Sequence, residues 1–151
     1  MAKETEVTIR PGKSQDAVTI HSILTESPEA SLWSISSVED VFDQPGVETL
    51  VAERNGALIG FLIGRAVSNE AEILNLAVRV AERRQGYAGE MVRRLFEKLH
   101  RQGISRVFLE VRESNATAIG FYQKLGFAQI GRRDGYYRQP VEAALVLEKH
   151  L

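Results

Sequence analysis

Apolar and polar positions along the chain change period several times, and each change marks an element. Residues 7–10 alternate with the period of two expected of a half-buried strand, and Pro11-Gly12 ends the run. From Ser14 a helical spacing sets Ala17, Ile20 and Leu24 on one face up to about residue 26. Ser36-Ser37-Val38-Glu39 reads as a capping box opening a second helix that stops before Pro45-Gly46. Residues 47–53 and 57–66 read as strands around Arg54-Asn55-Gly56, where Asn-Gly supplies the positive φ of a tight hairpin turn. Residues 70–78 form the next strand, after a turn at Ser68-Asn69. From Gly86 the period becomes helical: Ala88, Met91, Val92, Leu95, Phe96 and Leu99 share a face, and Gly103 ends it. A strand over 106–111 follows. Next comes a helix over 115–125, its apolar face made by Ala118, Phe121, Tyr122 and Leu125, closed by Gly126 as a left-handed cap. Residues 127–131 and 141–148 are the last strands, joined by a polar and aromatic loop over 132–140. The order β-α-α-β-β-β-α-β-α-β-β predicts a mixed α/β fold, with a helix between two neighbouring strands in the middle. No repeat or linker divides the chain, so 1–151 is expected to be a single domain.

Composition narrows the function. A hydrophobic fraction of 44% supports one substantial core. Nineteen Lys+Arg against twenty Asp+Glu, a net charge of -1, argue against a nucleic-acid partner, whose phosphates select a basic excess. No cysteine is present, which removes thiolate nucleophiles and thiolate metal sites. His21, His100 and His150 are isolated without ligand spacing, so no metal is expected. The charged opening, residues 1–6, and the lack of any apolar run near ~18 residues predict a cytoplasmic protein with no membrane segment.

The informative junction is Asn75-Leu76-Ala77-Val78 followed by Arg83-Arg84-Gln85-Gly86-Tyr87-Ala88-Gly89. A strand gives way to a glycine-containing loop that opens directly into a helix. Small residues let a ligand approach the backbone, and the free amides and dipole of a helix N-terminus attract anions. On physics alone this is either a phosphate cradle or a glycine-relieved turn beside two solvated arginines. A dinucleotide Gly-x-Gly-x-x-Gly is absent. Gly12-Lys13-Ser14 imitates the end of a P-loop, but Val7 stands where its first glycine belongs.

Arg83-Arg84-Gln85-Gly86-Tyr87-Ala88 resembles the Arg/Gln-x-x-Gly-x-Gly/Ala motif of the GNAT superfamily of acetyl-CoA-dependent N-acyltransferases. The wider blocks Glu72-Ile73-Leu74-Asn75-Leu76-Ala77-Val78, Leu109-Glu110-Val111-Arg112-Glu113-Ser114-Asn115 and Ala118-Ile119-Gly120-Phe121-Tyr122-Gln123-Lys124-Leu125-Gly126-Phe127 look like the RimI-type branch of ribosomal-protein alanine N-acetyltransferases. The resemblance implies a GNAT fold: a mixed sheet of about six or seven strands with splayed central strands, flanked by about four helices. It implies acetyl-CoA as cosubstrate, with pantetheine beside Leu76, Ala77 and Val78 and pyrophosphate on the loop carrying Arg83, Arg84, Gln85, Gly86, Tyr87, Ala88 and Gly89. Asn115 and Tyr122 would also contact the cofactor. Glu110 matches the general base and Tyr122 the acid that protonates the departing thiolate. Trp33, in an aromatic segment similar to one in that branch, is expected to help form the acceptor groove. Tyr136 and Tyr137, as exposed tyrosines of the 132–140 loop, are expected at its mouth.

The chemistry suits these residue types. An α-amine with a pKa near 8 is roughly 10% neutral at pH 7, whereas a lysine near 10.4 is below about 0.1% neutral. A protein N-terminus therefore needs only modest help from a base such as Glu110. Its oxyanion needs a donor, for which a main-chain N–H near Leu76 to Val78 is placed. Each residue has a plainer alternative: Glu110 a solvated strand end, Tyr122 and Trp33 core packing, Asn115 a helix cap, Tyr136 and Tyr137 local stacking. The expected acceptor is a protein N-terminus, foremost the N-terminal alanine of a small-subunit ribosomal protein. A broader N-terminal, lysine or small-amine acceptor range, or a non-catalytic acyl-CoA-binding module, are the alternatives.

Overall fold

The computed structural model describes residues 6–151. The charged opening discussed above lies outside the described residues, apart from Glu6. In chain order these form β1 (Val7–Pro11), α1 (Ala17–Thr25), α2 (Ile35–Val41), β2 (Val47–Arg54), β3 (Ala57–Val67), β4 (Glu70–Val78), α3 (Tyr87–Arg101), β5 (Arg106–Arg112), α4 (Ala116–Lys124), β6 (Ala128–Arg138) and β7 (Val141–His150). The seven strands make one sheet in the order β1-β2-β3-β4-β5-β7-β6. The mixed α/β class, four helices and seven strands agree with the expected architecture. None of the described helices is long and apolar enough to cross a membrane.

Alternation along the central strands feeds two cores. Leu62 faces α3, whose Met91, Val92, Leu95 and Leu99 fill one side of the sheet with Val107 and Leu109. Phe61 and Ile63, its neighbours on β3, face the other side and pack against Ile20, Ile23 and Leu24 of α1 and Val38 and Val41 of α2. With both faces covered, β3 reads as a nearly continuous apolar run rather than an alternating one. Each of these large side chains contributes roughly 1.5–3 kcal/mol on full burial.

Local signals differ from expectation in three places. The first helix opens with a 3-10 turn, Ser14–Asp16, and the Asp16 carboxylate rather than Ser14 takes the free Lys13 N–H at 2.8 Å. The second helix is capped by Ser34, whose Oγ accepts from Ser37 N–H at 3.1 Å, so the Ser36–Glu39 box does not form. The 132–140 loop is a correction of another kind. β6 runs on to Arg138 and hairpins into β7, so Tyr136 and Tyr137 stand on a strand and not on a loop.

The connection β4-α3-β5 makes the one parallel pair of the sheet, and it is short. Glu70, Ala71 and Glu72 pair with Arg106, Val107 and Phe108, and the ladder ends there. Beyond it β4 stays on β3 and β5 stays on β7, so the two strands diverge. A bulge accompanies the divergence. Gly64 pairs with Ile73 but Ile63 with Asn75, leaving Leu74 as the extra residue. Such an insertion switches which face the following side chains present and increases the local twist.

Candidate active site

A cleft of about 1020 Å³ fills the gap between the diverging strands. One wall is the open edge of β4, from Ile73 to Val78, and the other is Leu109 to Arg112 of β5. The N-termini of α3 and α4 close its ends. Arg79 N–H bonds to Ile59 O of β3 at 2.8 Å. Main-chain groups alternate sides along a strand, so those of Leu76 and Val78 turn into the gap. The cleft thus offers a strand-like row of peptide groups leading to a helix tip.

At that tip Gly86 caps α3 with φ 87, and Arg84 two residues earlier also takes a positive φ of 63. Left-handed residues this close together turn successive N–H groups inward and make an anion-binding concavity, to which the 15-residue helix adds its dipole. A Cβ placed on Gly86 meets nothing within 4 Å, so glycine is required there by backbone conformation and not by space. Arg83, Arg84, Gly86, Tyr87, Ala88 and Gly89 all line the cleft, whereas Gln85 does not. Tyr87 is held from behind, its hydroxyl accepting from Arg54 Nη2 at 2.6 Å while the same nitrogen pairs with Glu82 at 2.9 Å. Arg83 does not point to solvent. Its Nε donates to Val78 O at 2.9 Å and its Nη2 reaches Ser27 Oγ at 2.9 Å and Glu29 at 2.8 Å.

Asn115 lines the cleft and caps α4, its Oδ1 accepting from Ala118 N–H at 3.1 Å. That leaves its Nδ2 donors for a ligand. Two turns on, Tyr122 also lines the cleft, wedged edge-on between Phe121 and Phe127 with ring centroids 5.1 and 5.4 Å away. Burial, followed by the neighbouring Tyr137, pushes its hydroxyl far above the ordinary phenol value, so it keeps its proton. Tyr137 lines the same cleft with Arg112 stacked 4.2 Å over its ring, and burial pushes it up to about 12.

A second depression of about 620 Å³ lies on the sheet beside the cleft, lined by Arg65, Glu72, Phe108, Ile130, Arg133 and Val146 among others. Leu109 and Glu110 border both depressions. The Oε2 of Glu110 is buried without a hydrogen-bond partner among the described residues, and Arg133 Nε stands 3.8 Å from it. A buried carboxylate oxygen in that state calls for a donor, since leaving it unmet costs at least ~1–3 kcal/mol. An incoming ammonium or water supplies one. Tyr136 turns its hydroxyl to the same carboxylate; burial first, then Glu110, raises it. It also packs edge-on against Tyr137 at 5.0 Å. Trp33 is not brought to either depression. It packs half-buried on the α1–α2 core with Leu74, while residues 29–31 just before it do line the cleft.

Two contributors were missed from sequence. Glu72 faces the second depression, and its carboxyl is raised by burial and then by the nearby Glu110 charge. Its place immediately before the strand turns apolar at Ile73 was the available signal. Asn75 is one of only two buried polar residues among those described, with Ser27. Its Nδ2 donates to Ser31 O at 2.9 Å and its Oδ1 accepts from Leu76 N–H at 3.0 Å. A lone Asn in an apolar strand, Leu74-Asn75-Leu76, is a visible anomaly, because such a side chain must find partners when buried.

The arrangement therefore combines a peptide-like edge, a glycine-turned helix tip, a proton-holding phenol and a carboxylate with one buried oxygen lacking a hydrogen bond among the described residues, at the meeting of two depressions. The pattern of the Acetyltransferase (GNAT) family matches residues 17–127. The chain is 38% identical over 84 residues to the [ribosomal protein bS18]-alanine N-acetyltransferase of Escherichia coli strain K12, covering 56% of this chain and 57% of that one. The chain thus spans little more than half the length of that curated relative in the aligned stretch. Over nearly the whole fold it superposes on the crystal structure of the ribosomal-protein-S18-alanine N-acetyltransferase from Escherichia coli, with a TM-score of 0.84, 28% identity and 96% and 94% of the two chains covered. It matches Ard1 from Thermoplasma volcanium with a TM-score of 0.88, 26% identity and 96% and 97% coverage. With residues 17–127 matched by the family pattern, the chain belongs to the GNAT family of acetyltransferases.

Proposed function

We propose that the protein transfers the acetyl group of acetyl-CoA to a protein N-terminal amine by direct attack in a ternary complex. The observation that carries this is the position of Glu110 where the two depressions meet, its Oε2 buried without a hydrogen bond among the described residues and with Arg133 Nε 3.8 Å away. A thioester laid along the β4 edge delivers its carbonyl to that junction, with the pyrophosphate on the amides of residues 84–89. An amine entering along the sheet from the Glu72 and Arg133 side meets it there. Glu110 then accepts the ammonium proton, directly or through one water, and the amine attacks the thioester carbon. The cleft-facing main-chain N–H of Val78 holds the developing oxyanion. As the C–S bond breaks, the second proton of the attacking nitrogen leaves through water, and Tyr122 donates a hydrogen bond to the departing thiolate. Because its proton is tightly held, the hydroxyl acts chiefly by hydrogen bonding to the sulfur. Asn115 offers an amide donor to the cofactor.

The favoured acceptor is an alanine-starting N-terminus such as that of a small-subunit ribosomal protein, the substrate named for the E. coli relative. The second depression supports this choice through its volume of about 620 Å³ and the mixed charge of Arg65, Glu72, Glu110 and Arg133, which suit a polypeptide. The test is mass spectrometry of the products formed from acetyl-CoA with an alanine-starting peptide, an N-blocked lysine peptide and a polyamine. Acetylation of the alanine α-amine is expected; modification of the polyamine alone would rule out the N-terminal assignment.

A further inference from the structure

Two side chains bridge the wall of the cofactor cleft and the segment over residues 27–31, and each occupies a main-chain group that a bound carrier needs. Asn75 Oδ1 holds Leu76 N–H at 3.0 Å while its Nδ2 holds Ser31 O at 2.9 Å. Arg83 Nε holds Val78 O at 2.9 Å while its Nη2 holds Ser27 Oγ at 2.9 Å and Glu29 at 2.8 Å. Leu76 N–H and Val78 O are the gap-facing donor and acceptor of the β4 edge. Both are satisfied by side chains whose other ends fasten a neighbouring segment. Residues 29–31 of that segment also line the cleft, and Trp33 lies two residues beyond Ser31.

We infer that Asn75 and Arg83 are positioning residues that report cofactor occupancy to the 27–33 segment. The inference rests on the proposed binding of a CoA thioester along β4. A pantetheine amide pairing with Leu76 N–H and Val78 O displaces or shares the Asn75 and Arg83 bonds. Those side chains then shift, and with them the chain they hold at Ser27, Glu29 and Ser31. The wall of the cleft is thereby set after the cofactor has arrived, and the amine meets a different surface in the loaded than in the empty protein. Asn75 also competes with the carrier for Leu76 N–H, so it should weaken CoA binding as well as transmit it.

The chain contains a single tryptophan, Trp33, which makes the segment directly observable. The experiment titrates the full-length protein with CoA and follows Trp33 emission beside the heat of binding. Wild type is expected to change emission in step with the heat. Asn75→Ala is expected to bind CoA no more weakly, and up to about fivefold more tightly, in line with removing one competing hydrogen bond. Its emission change at saturation should fall to half or less. Should Asn75→Ala fail to fold, Glu29→Gln, at a side chain 40% exposed, is expected to reduce the emission change by loosening Arg83. CoA heat with a silent Trp33 in wild type, or a full emission change in both variants, overturns the inference while leaving the proposed function standing. No CoA heat at all overturns both.

Discussion

In the proposed mechanism Glu110 and Tyr122 have opposite proton tasks, one as an acceptor and the other as a donor that holds its proton. Tyr122→Phe keeps the ring between Phe121 and Phe127 and removes the hydroxyl alone. Turnover is expected to fall about 100-fold or more, with acetyl-CoA affinity within about threefold of wild type, as steady-state kinetics and calorimetry together would show. Equal turnover would remove the acid role. Their short blocks, Leu109-Glu110-Val111-Arg112 and Phe121-Tyr122, carry the family likeness that singles them out in sequence, and both residues line the cleft. The partners of Asn75 and Arg83 were not legible, because Ser31 is 44 residues from Asn75 and Ser27 is 56 from Arg83. A hydrogen bond across such separations is set by the fold, and no local spacing encodes it. Tyr87 was expected at the cofactor loop, yet its anchoring to Arg54, 33 residues away, was equally invisible.

Among the elements, those with strong periodicity were read well and those exposed on both faces were not. α3 buries Met91, Val92, Leu95 and Leu99 on one stripe, and its boundaries follow from Gly86 and Gly103. β6 is exposed at nearly every position, so it carries no apolar alternation and reads as a loop. The turn before α3 makes the sharpest claim at this scale. Gly86→Ala must hold a φ of 87 that a Cβ disfavours, at roughly 1–2 kcal/mol, although the site has room for the methyl group. The variant is expected to melt lower by that amount and to bind CoA at least tenfold more weakly, because relaxation of the turn re-aims the cradle amides. Unchanged CoA affinity, measured by calorimetry, would mean that the cradle does not depend on this turn.

For the whole molecule, class and element order were readable, but the strand order was not. The central β4-α3-β5 crossover was foreseen, whereas the insertion of β7 between β5 and β6 depends on contacts between distant segments. Long-range charge pairs also bind the sheet to its helices, and they give the molecule a predictable acid limit. Arg10 joins β1 to Asp16 at 2.9 Å and to Glu53 of β2 at 2.9 Å. The Arg10 hydrogen bond holds the Asp16 carboxyl below its ordinary 3.8, and a hydrogen bond from Ser114 holds Glu142 below its ordinary 4.5. A carboxyl lowered by folding stabilises the folded state above its ordinary value and loses that contribution as pH falls through the folded one. Thermal midpoints are therefore expected to decline below about pH 4. Asp16→Asn should cost about 0.5–1 kcal/mol at neutral pH and flatten the decline, as scanning calorimetry across a pH series would record. A variant with an undiminished acid slope would show that other carboxyls govern it.

The short β4–β5 ladder has a consequence of its own. Where it stops, the middle of the sheet contains two raw strand borders of the kind that proteins usually keep at their periphery and blunt against sticking to other chains. Asn75 and Arg83 muffle one of them by folding over its exposed peptide groups. The protein thus carries a latent adhesive seam between β4 and β5, and a small molecule lying in that seam would protect the chain from self-association.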